Sequence, residues 1–510
     1  MSTSPPLTDG ALPPVALPVV IGVMLTTLLE VLDTTVVNVA LPHMMGSFGA
    51  TPDQITWMIT SYLISTAIVM PLTGYLVGRF GRRPVLVVGI TGFIVTSTAC
   101  GFAWSLTSMV SFRFFQGAFG AVLVPISQSV MLDAFPREKR TQAMAIWGLA
   151  IMAGPGFGPV LGGYITEYWD WRWVFFLNIP VGIIGLILVS DEVGGEAPRS
   201  DARTDWIGLI LLSLGLGALQ TLLDQGHTRD WYESGFIWAL SWLAASAFVL
   251  FIVRALERDN NIVDIRLFSD RNFLIGNLLM GGYGLAMYST IVMWPLLAQN
   301  VLGYPADAAG WVLAPRGLVS AIMMIVIGTW IAPLLDNRWL IGGGFILSIV
   351  ASAIMARLSL DVDMWGLIMP GLVFGLAMAF VFSQLSTATF DTIPPEKAAE
   401  AAGLYNVMRT IGGSIGIAIS STYLVRQEQV HWHYLGTDIN DTNRHLYAWM
   451  AETGVEIDEP NAPVQLAREM FRHVQMNAFN DVFWFIASIF VVLTPLVLLL
   501  RNTHRRPLAA

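Results

Sequence analysis

Apolar runs of about 18 to 25 residues recur along the chain. They lie near 15–41, 55–77, 84–104, 107–132, 141–165, 172–190, 205–223, 235–256, 272–298, 308–332, 338–357, 364–390, 398–423 and 478–501. Each is long enough to cross the roughly 30 Å hydrocarbon core of a bilayer, so the pattern predicts an all-α polytopic membrane protein with fourteen spans. The first run departs from this plain pattern. From Leu25 to Pro42 it reads LTTLLEVLDTTVVNVALP and contains two acids, Glu30 and Asp33. A charge near the bilayer centre costs at least roughly 2.5 kcal/mol, so an acid there faces a bundle interior or a water-filled cavity and marks an ion or substrate path. At helical spacing Thr26, Glu30, Asp33 and Val37 share one face, with Thr34 and Asn38 one step round.

Composition supports the same class. Hydrophobic residues are 55% of the 510 and charged residues 12%, against roughly 25% charged in soluble domains, which excludes a soluble enzyme. The net charge of −9 lies mostly in short connecting segments and one long loop, so it does not point to a nucleic-acid partner. The single cysteine, Cys100, has no intrachain partner for a disulfide. Residues 1–14 contain no Lys or Arg and several prolines, so they are expected to form a disordered tail rather than a cleaved signal.

Basic residues set the expected orientation. One set of alternating connections holds Arg79, Arg82, Arg83, Arg137, Lys139, Arg140, Arg199, Arg203, Arg254, Arg258, Arg266, Arg271, Arg338, Lys397, Arg501, Arg505 and Arg506, whereas the short connections of the other set hold Arg172, Arg229 and Arg357. Both termini, including the tail 502–510, are therefore expected to be cytoplasmic. The fifth run, QAMAIWGLAIMAGPGFGPVLGG, and the thirteenth, AAGLYNVMRTIGGSIGIAIS, share an opening of small residues followed by glycines spaced by helical turns. This hint of duplication divides the chain into two six-helix halves, 15–190 and 272–501, with linkers and two inserted helices (205–223 and 235–256) within 191–271. The long segment 424–477, with His431, Trp432, His433 and Tyr434 near its start, is expected outside the membrane as a solvated loop with partial helix, or as a flap or docking surface.

Three further motifs carry chemistry. Between the second and third runs come Gly74, Gly78, Arg79, Gly81, Arg82 and Arg83; the glycines permit a tight turn, and the arginines can bond carbonyls at a facing helix end. In the fourth run Arg113, Gln116, Gly117 and Gly120 fall on one face, and a guanidinium that deep needs a carboxylate, carbonyls or water, unless it snorkels to an interface. In the fifth, Gly154, Gly158 and Gly162 form a groove for a close neighbouring helix, while Pro155 and Pro159 each remove a backbone donor and suggest a hinge.

These segments resemble the signatures of the major facilitator superfamily. Gly74–Arg83 is similar to its loop signature, Arg113–Gly120 to its RxxQG motif, and Gly154–Gly163 to its GxxxGPxxGG antiporter motif. Fourteen spans, with Leu32, Asp33, Thr35, Asn38, Val39, Ala40, Leu41 and Pro42, narrow the resemblance to the fourteen-span drug:proton antiporter group and its EmrB-like multidrug exporters. Pro125, Ser127, Gln128 and Ser129, the segment DIRLFSDRNF at 264–273 and RTIGGSIG at 409–416 extend it over nearly the whole chain. The loop signature usually has an acid where this chain has Gly78.

The resemblance implies a major facilitator fold with two added helices, in the cell inner membrane. It also implies export of amphipathic or cationic toxic compounds by alternating access, with a proton gradient as energy source and no cofactor. Within that reading Asp33 is the main proton carrier, Glu30 a second acid or a contributor to substrate charge, and Arg113 the group that sets the proton affinity of Asp33. A cavity for varied hydrophobic ligands suits aromatic and amide side chains in spans. The candidates are Trp57, Tyr62, Trp147, Tyr283, Tyr288, Trp294 and Tyr405, with Asn38, Gln116, Gln128, Asn277, Gln384 and Asn406 for hydrogen bonds. Arg316 and Arg409 can each anchor an anionic substrate or stay near an interface. EmrB-like pumps commonly work with a periplasmic adaptor and an outer-membrane channel, although no docking signature stands out. The alternative is a facilitator for one metabolite, such as an amino acid or siderophore. A metalloenzyme or hydrolase is disfavoured because every histidine (43, 227, 431, 433, 445, 473 and 504) falls outside the expected spans.

Overall fold

The computed structural model describes residues 16–136, 139–190, 205–258, 263–438, 444–453 and 462–501. The tails expected at 1–14 and 502–510 and most of the first linker, 191–204, lie outside them. A helix stands at each of the fourteen expected positions. The first half comprises α1 (Ala16–Phe48), α2 (Trp57–Phe80), α3 (Arg82–Gly101), α4 (Leu106–Ala134), α5 (Arg140–Tyr168) and α6 (Asn178–Ser190). Two inserted helices follow, α7 (Trp206–Gln225) and α8 (Gly235–Glu257). The second half comprises α9 (Arg271–Leu296), α10 (Ala306–Val326), α11 (Asn337–Met355), α12 (Met364–Phe390), α13 (Ala398–Asp438) and α14 (Ala462–Leu496). Among the described residues ten helices are long and apolar enough to cross a membrane, and α5, bent by 41° between Gly158 and Val160, makes eleven. Helix α6 belongs to a shorter apolar stretch, Trp173–Val189.

Local chemistry sets the helix ends. Asp205, Asp270, Asp336 and Asp363 each precede a helix and accept a hydrogen bond from a first-turn amide, at Gly208, Phe273, Arg338 and Gly366. Ser105 and Ser108 form a reciprocal capping box at the start of α4. Gly81 joins α2 to α3 at a φ of +87°, a conformation open to glycine and strained for other residues.

The same helix pairs pack in both halves: α1 on α5 and α9 on α13, α2 on α4 and α10 on α12, α3 on α6 and α11 on α14. The likeness of the fifth and thirteenth runs thus has a structural counterpart. Gly162 brings α5 against α1, where a Cβ would lie 2.9 Å from the Val36 carbonyl oxygen. Gly412 and Gly416 bring α13 against α9, where a Cβ would lie 2.8 Å from the carbonyl carbon of Gly281 or Leu285.

Segment 424–477, expected as a loop with partial helix, is helical over most of its described residues. Helix α13 continues to Asp438, α14 begins at Ala462, and a short helix, Arg444–Thr453, stands between them. The extensions are held as a pair: Gln427 Nε2 donates to Asp481 Oδ2 at 2.8 Å, His431 Nε2 lies 2.8 Å from the same oxygen, and Trp432 meets Phe471 edge-on. Helix α1 likewise runs past Pro42 to Phe48, so His43 stands on its exposed last turns rather than in a loop.

The halves meet at the end carrying the Arg79–Arg83 and Lys139–Arg140 turns, here called the basic end. Gly74 of α2 sits on Glu400 of α13, a Cβ there being 2.6 Å from the Glu400 Cα. Ser383 of α12 donates to the Thr141 carbonyl at 2.9 Å, and Trp147 of α5 stacks on Phe382. Deeper in the bundle Gly156 and Gly317 let α5 and α10 touch backbone to backbone. The inserted α7 packs on α2 and α13: Thr60 bonds Asp224, and Ser414 donates to Gln220 at 3.0 Å.

Candidate functional site

Helix α1 places Asp33 in a closed polar cluster. Its Oδ2 accepts from Arg113 Nη1 at 2.6 Å, and its Oδ1 accepts from Gln116 Nε2 at 2.9 Å and Asn178 Nδ2 at 2.7 Å. Spacing of i, i+3 on α4 puts Arg113 and Gln116 on one face, where Arg113 Nη1 also donates to Gln116 Oε1 at 2.8 Å. Asp33 and Arg113 are each 1% exposed, so Arg113 does not snorkel. Its guanidinium lies 4.2 Å over the Tyr62 ring, and its Nε donates to the Met58 carbonyl at 3.4 Å. Charges this deep persist where geometry and added hydrogen bonds offset desolvation, and this cluster supplies both.

The rotation of α4 and α6 puts two amides on Asp33. Gln116, expected in a substrate cavity, is buried in the ion cluster, and Cys100 Sγ approaches its Oε1 at 3.6 Å. Asn178 and Ser97 had no expected role. Asn178 Nδ2 also donates to Ser97 Oγ at 3.0 Å, and Ser97 Oγ to the Phe175 carbonyl at 2.9 Å, which orients the amide toward Asp33. The available signal was a lone amide inside the apolar run VFFLNIPVGIIGLILV.

Glu30, one turn before Asp33, is 8% exposed and receives a long hydrogen bond of 3.5 Å from the Tyr62 hydroxyl. It lies within charge-interaction range of Asp33 and Arg113 in its own half and of Arg409 in the other. The α5 groove seats α1 beside these acids. A Cβ on Gly154 would lie 3.0 Å from Val31 backbone, one on Gly158 would strike Thr35, and Thr35 Oγ1 donates to the Gly154 carbonyl at 3.1 Å. Pro155 and Pro159 occupy this helix, their side chains outside the described set.

Other expected cavity residues fall into three groups. Gln128 and Asn406 are bonded across the halves: Asn406 Nδ2 donates to Gln128 Oε1 at 2.7 Å and Gln128 Nε2 to Ser386 Oγ at 2.9 Å. Trp147 is fully buried, donates to Thr27 Oγ1 at 3.1 Å and stacks on Phe382 of the other half. These three therefore close the basic end here instead of lining a cavity. Tyr283, Gln384 and Arg409 are buried with side-chain polar atoms that have no partner among the described residues. Tyr288 is half-buried against Gly413, and Asn38 is exposed.

In the loop signature Arg82 Nη2 pairs with Asp133 at 2.8 Å, a carboxylate at the end of α4 rather than the carbonyls expected. A Cβ on Gly78 would meet nothing within 4 Å, whereas Gly74 is packed on Glu400.

The sequence pattern of the Major Facilitator Superfamily matches residues 23–417. The chain belongs to the major facilitator superfamily. This superfamily member is 36% identical over 484 residues to the Multidrug export protein EmrB of Escherichia coli (strain K12), covering 94% of each chain. It is 33% identical over 499 residues to the Fatty acid resistance protein FarB of Neisseria gonorrhoeae, covering 97% of each. In fold it is similar to the human organic anion transporter MFSD10, with a TM-score of 0.64, 14% identity and coverage of 95% of this chain and 100% of that one. The all-helical, multi-pass architecture and the paired halves agree with the superfamily fold.

Proposed function

We propose that this protein exports amphipathic and hydrophobic toxic compounds by alternating access, exchanging them for protons. The observation that carries the proton step is the Asp33–Arg113 pair, buried on α1 and α4 with Gln116 and Asn178 completing the shell. The cation and two amides offset the desolvation of the buried carboxylate, and moving Arg113 away would leave that acid without its counter-charge inside the bundle. Opening and closing of the halves would alternate those conditions and couple proton entry to substrate exit. Relatives named for multidrug export and for fatty acid resistance support amphipathic compounds as the substrate class.

In this reading the contacts of Gly74 with Glu400 and of Gln128 with Asn406 close the cytoplasmic side, because the basic turns mark that side. Both termini are then cytoplasmic and the membrane is the cell inner membrane. The paired extensions of α13 and α14 project on the far side, where an adaptor leading to an outer-membrane channel would meet them. Glu30 serves as a second acid beside Asp33, one helical turn away on α1.

The test is dye accumulation in inside-out vesicles under an imposed pH gradient, comparing the parent with Asp33→Asn. The expected result is proton-driven uptake in the parent and its loss in the variant. Undiminished proton-driven uptake in Asp33→Asn would overturn the proton-carrier role, and no uptake of any dye by the parent would overturn multidrug export.

A further inference from the structure

The inserted helices take no part in the pairing within either half, yet α7 touches both halves. Its last turns carry three polar side chains, Gln220, Asp224 and Gln225, in an otherwise apolar run. Gly217 and Asp224, two helical turns apart, face α2. A Cβ on Gly217 would lie 3.4 Å from Ile68 and 3.7 Å from Ile64, and the Asp224 carboxylate accepts from the Thr60 hydroxyl. Gln220 turns to the other half, where its Oε1 accepts from Ser414 Oγ of α13 at 3.0 Å.

The connection from α7 to α8 adds a second tie to α13. Trp231 Nε1 donates to Thr422 Oγ1 at 2.8 Å. The Trp231 amide donates to the Gly226 carbonyl at 2.8 Å, and the ring lies against Gly226, where a Cβ would be 2.7 Å from it. Asp230 and Trp231 hold left-handed backbone, at φ +52° and +50°. Residues other than glycine keep that conformation only where the surroundings fix it, and here Gly226 and Thr422 fix it.

These contacts lie at the end opposite the basic end. Helices α2 and α13 touch each other mainly through residues 70–80 of α2, where a Cβ on Gly403 would lie 3.0 Å from the Met70 carbonyl oxygen. Near Thr60 and Ser414, α7 packs on both. A rocking motion that opens the basic end brings α2 and α13 together at the far end, so α7 must part from one of them. Its two faces are unequal. The α2 face combines apolar packing with a carboxylate acceptor, whereas the ties to α13 are neutral hydrogen bonds, weak enough to break in each cycle.

We propose that the inserted helices move with the first half, and that the Ser414–Gln220 and Trp231–Thr422 bonds form a strap holding the second half in the state closed at the basic end. The strap rests on the alternating-access reading and gives the inserted pair a role in setting the balance between its states.

The experiment is the rate of thiol labelling of Thr141→Cys, at the closed basic end, in the purified full-length protein without substrate or pH gradient. The unsubstituted chain, whose Cys100 is buried, gives the background. Ser414→Ala and Thr422→Val each remove one bond and are expected to raise the rate about fivefold. The two positions stand eight residues apart on α13, about 12 Å along the helix, so together they should raise it on the order of twentyfold. Thr60→Val loosens a contact kept in both states; it should lower the melting temperature and leave the labelling rate at the parent level. Unchanged rates in Ser414→Ala and Thr422→Val, or an equal rise in Thr60→Val, would overturn the strap. Gly74→Ala, measured beside them, separates the two readings. A rise there with none in the strap variants overturns the strap alone, whereas no rise in any variant overturns alternating access as well.

Discussion

Asn178 donates at 2.7 Å to the same oxygen of Asp33 that accepts from Gln116, from a position 145 residues further along the chain. This contact ties α6 to the acid of α1. Asn178→Leu removes one of the three side-chain donors to a buried carboxylate, and a cost of about 1–3 kcal/mol is expected. Denaturation of the purified protein measures that cost. If Asp33 carries the proton, the pH profile of proton-driven flux shifts as well; an unchanged profile would separate Asn178 from the proton step.

The Asp33–Arg113 pair predicts a non-additive mutant cycle. Asp33→Asn leaves Arg113 buried without its counter-charge, and Arg113→Gln leaves Asp33 so; each single change is expected to cost about 3–5 kcal/mol. The double variant Asp33→Asn/Arg113→Gln strands no charge and should recover a large part of that loss. Unfolding of the four proteins under one condition gives the coupling, and additive losses would contradict the buried-pair account.

Gly74 and Gly78 predict opposite outcomes for one chemical change. Gly74→Ala drives a methyl group onto Glu400 and should weaken closure of the halves at the basic end, whereas Gly78→Ala enters open space on a helix and should be neutral or slightly stabilising. Accessibility of a cysteine placed at Thr141, where Ser383 closes on α5, distinguishes the two. Labelling is expected to rise in the Gly74 variant and stay at the parent level in the Gly78 variant.

Acid sensitivity of the inserted helices follows from Asp205. Hydrogen bonds from Arg254, at 2.8 Å from Nε and 2.5 Å from Nη2, together with the Gly208 amide, hold its carboxyl below the ordinary value of 3.8. A lowered carboxylate pKa stabilises the fold above the ordinary value and loses that contribution as pH falls through the lowered one. The stability advantage of the parent over Asp205→Asn should therefore be full above pH 3.8 and shrink below it. Melting curves taken across that range check the sign.

Several features were legible in the sequence because they depend on local pattern. Hydropathy marked fourteen helices; the pitch of a helix put Glu30 and Asp33 on one face and Arg113 and Gln116 on another; glycines four apart marked the groove that receives α1. Partial helix was expected at 424–477, but its extent was not legible in this way, since no continuous apolar run marks it and its charged and aromatic residues are ordered by pairing with each other.

The sequence by itself determined the membrane class, the two halves with their inserted helices, and the presence of buried acids that need partners, because hydrophobic length and helical period act within one segment. Only the tertiary structure decided which partners those are. Gln116 joined Asp33 instead of a cavity, Gln128 met Asn406 across the halves, Asn178 entered the ion cluster, and Arg316 met the Phe374 ring rather than a carboxylate. The physical reason is that the rotation of each helix about its axis is set by packing against its neighbours, and a rotation of one residue step changes which side chain points inward.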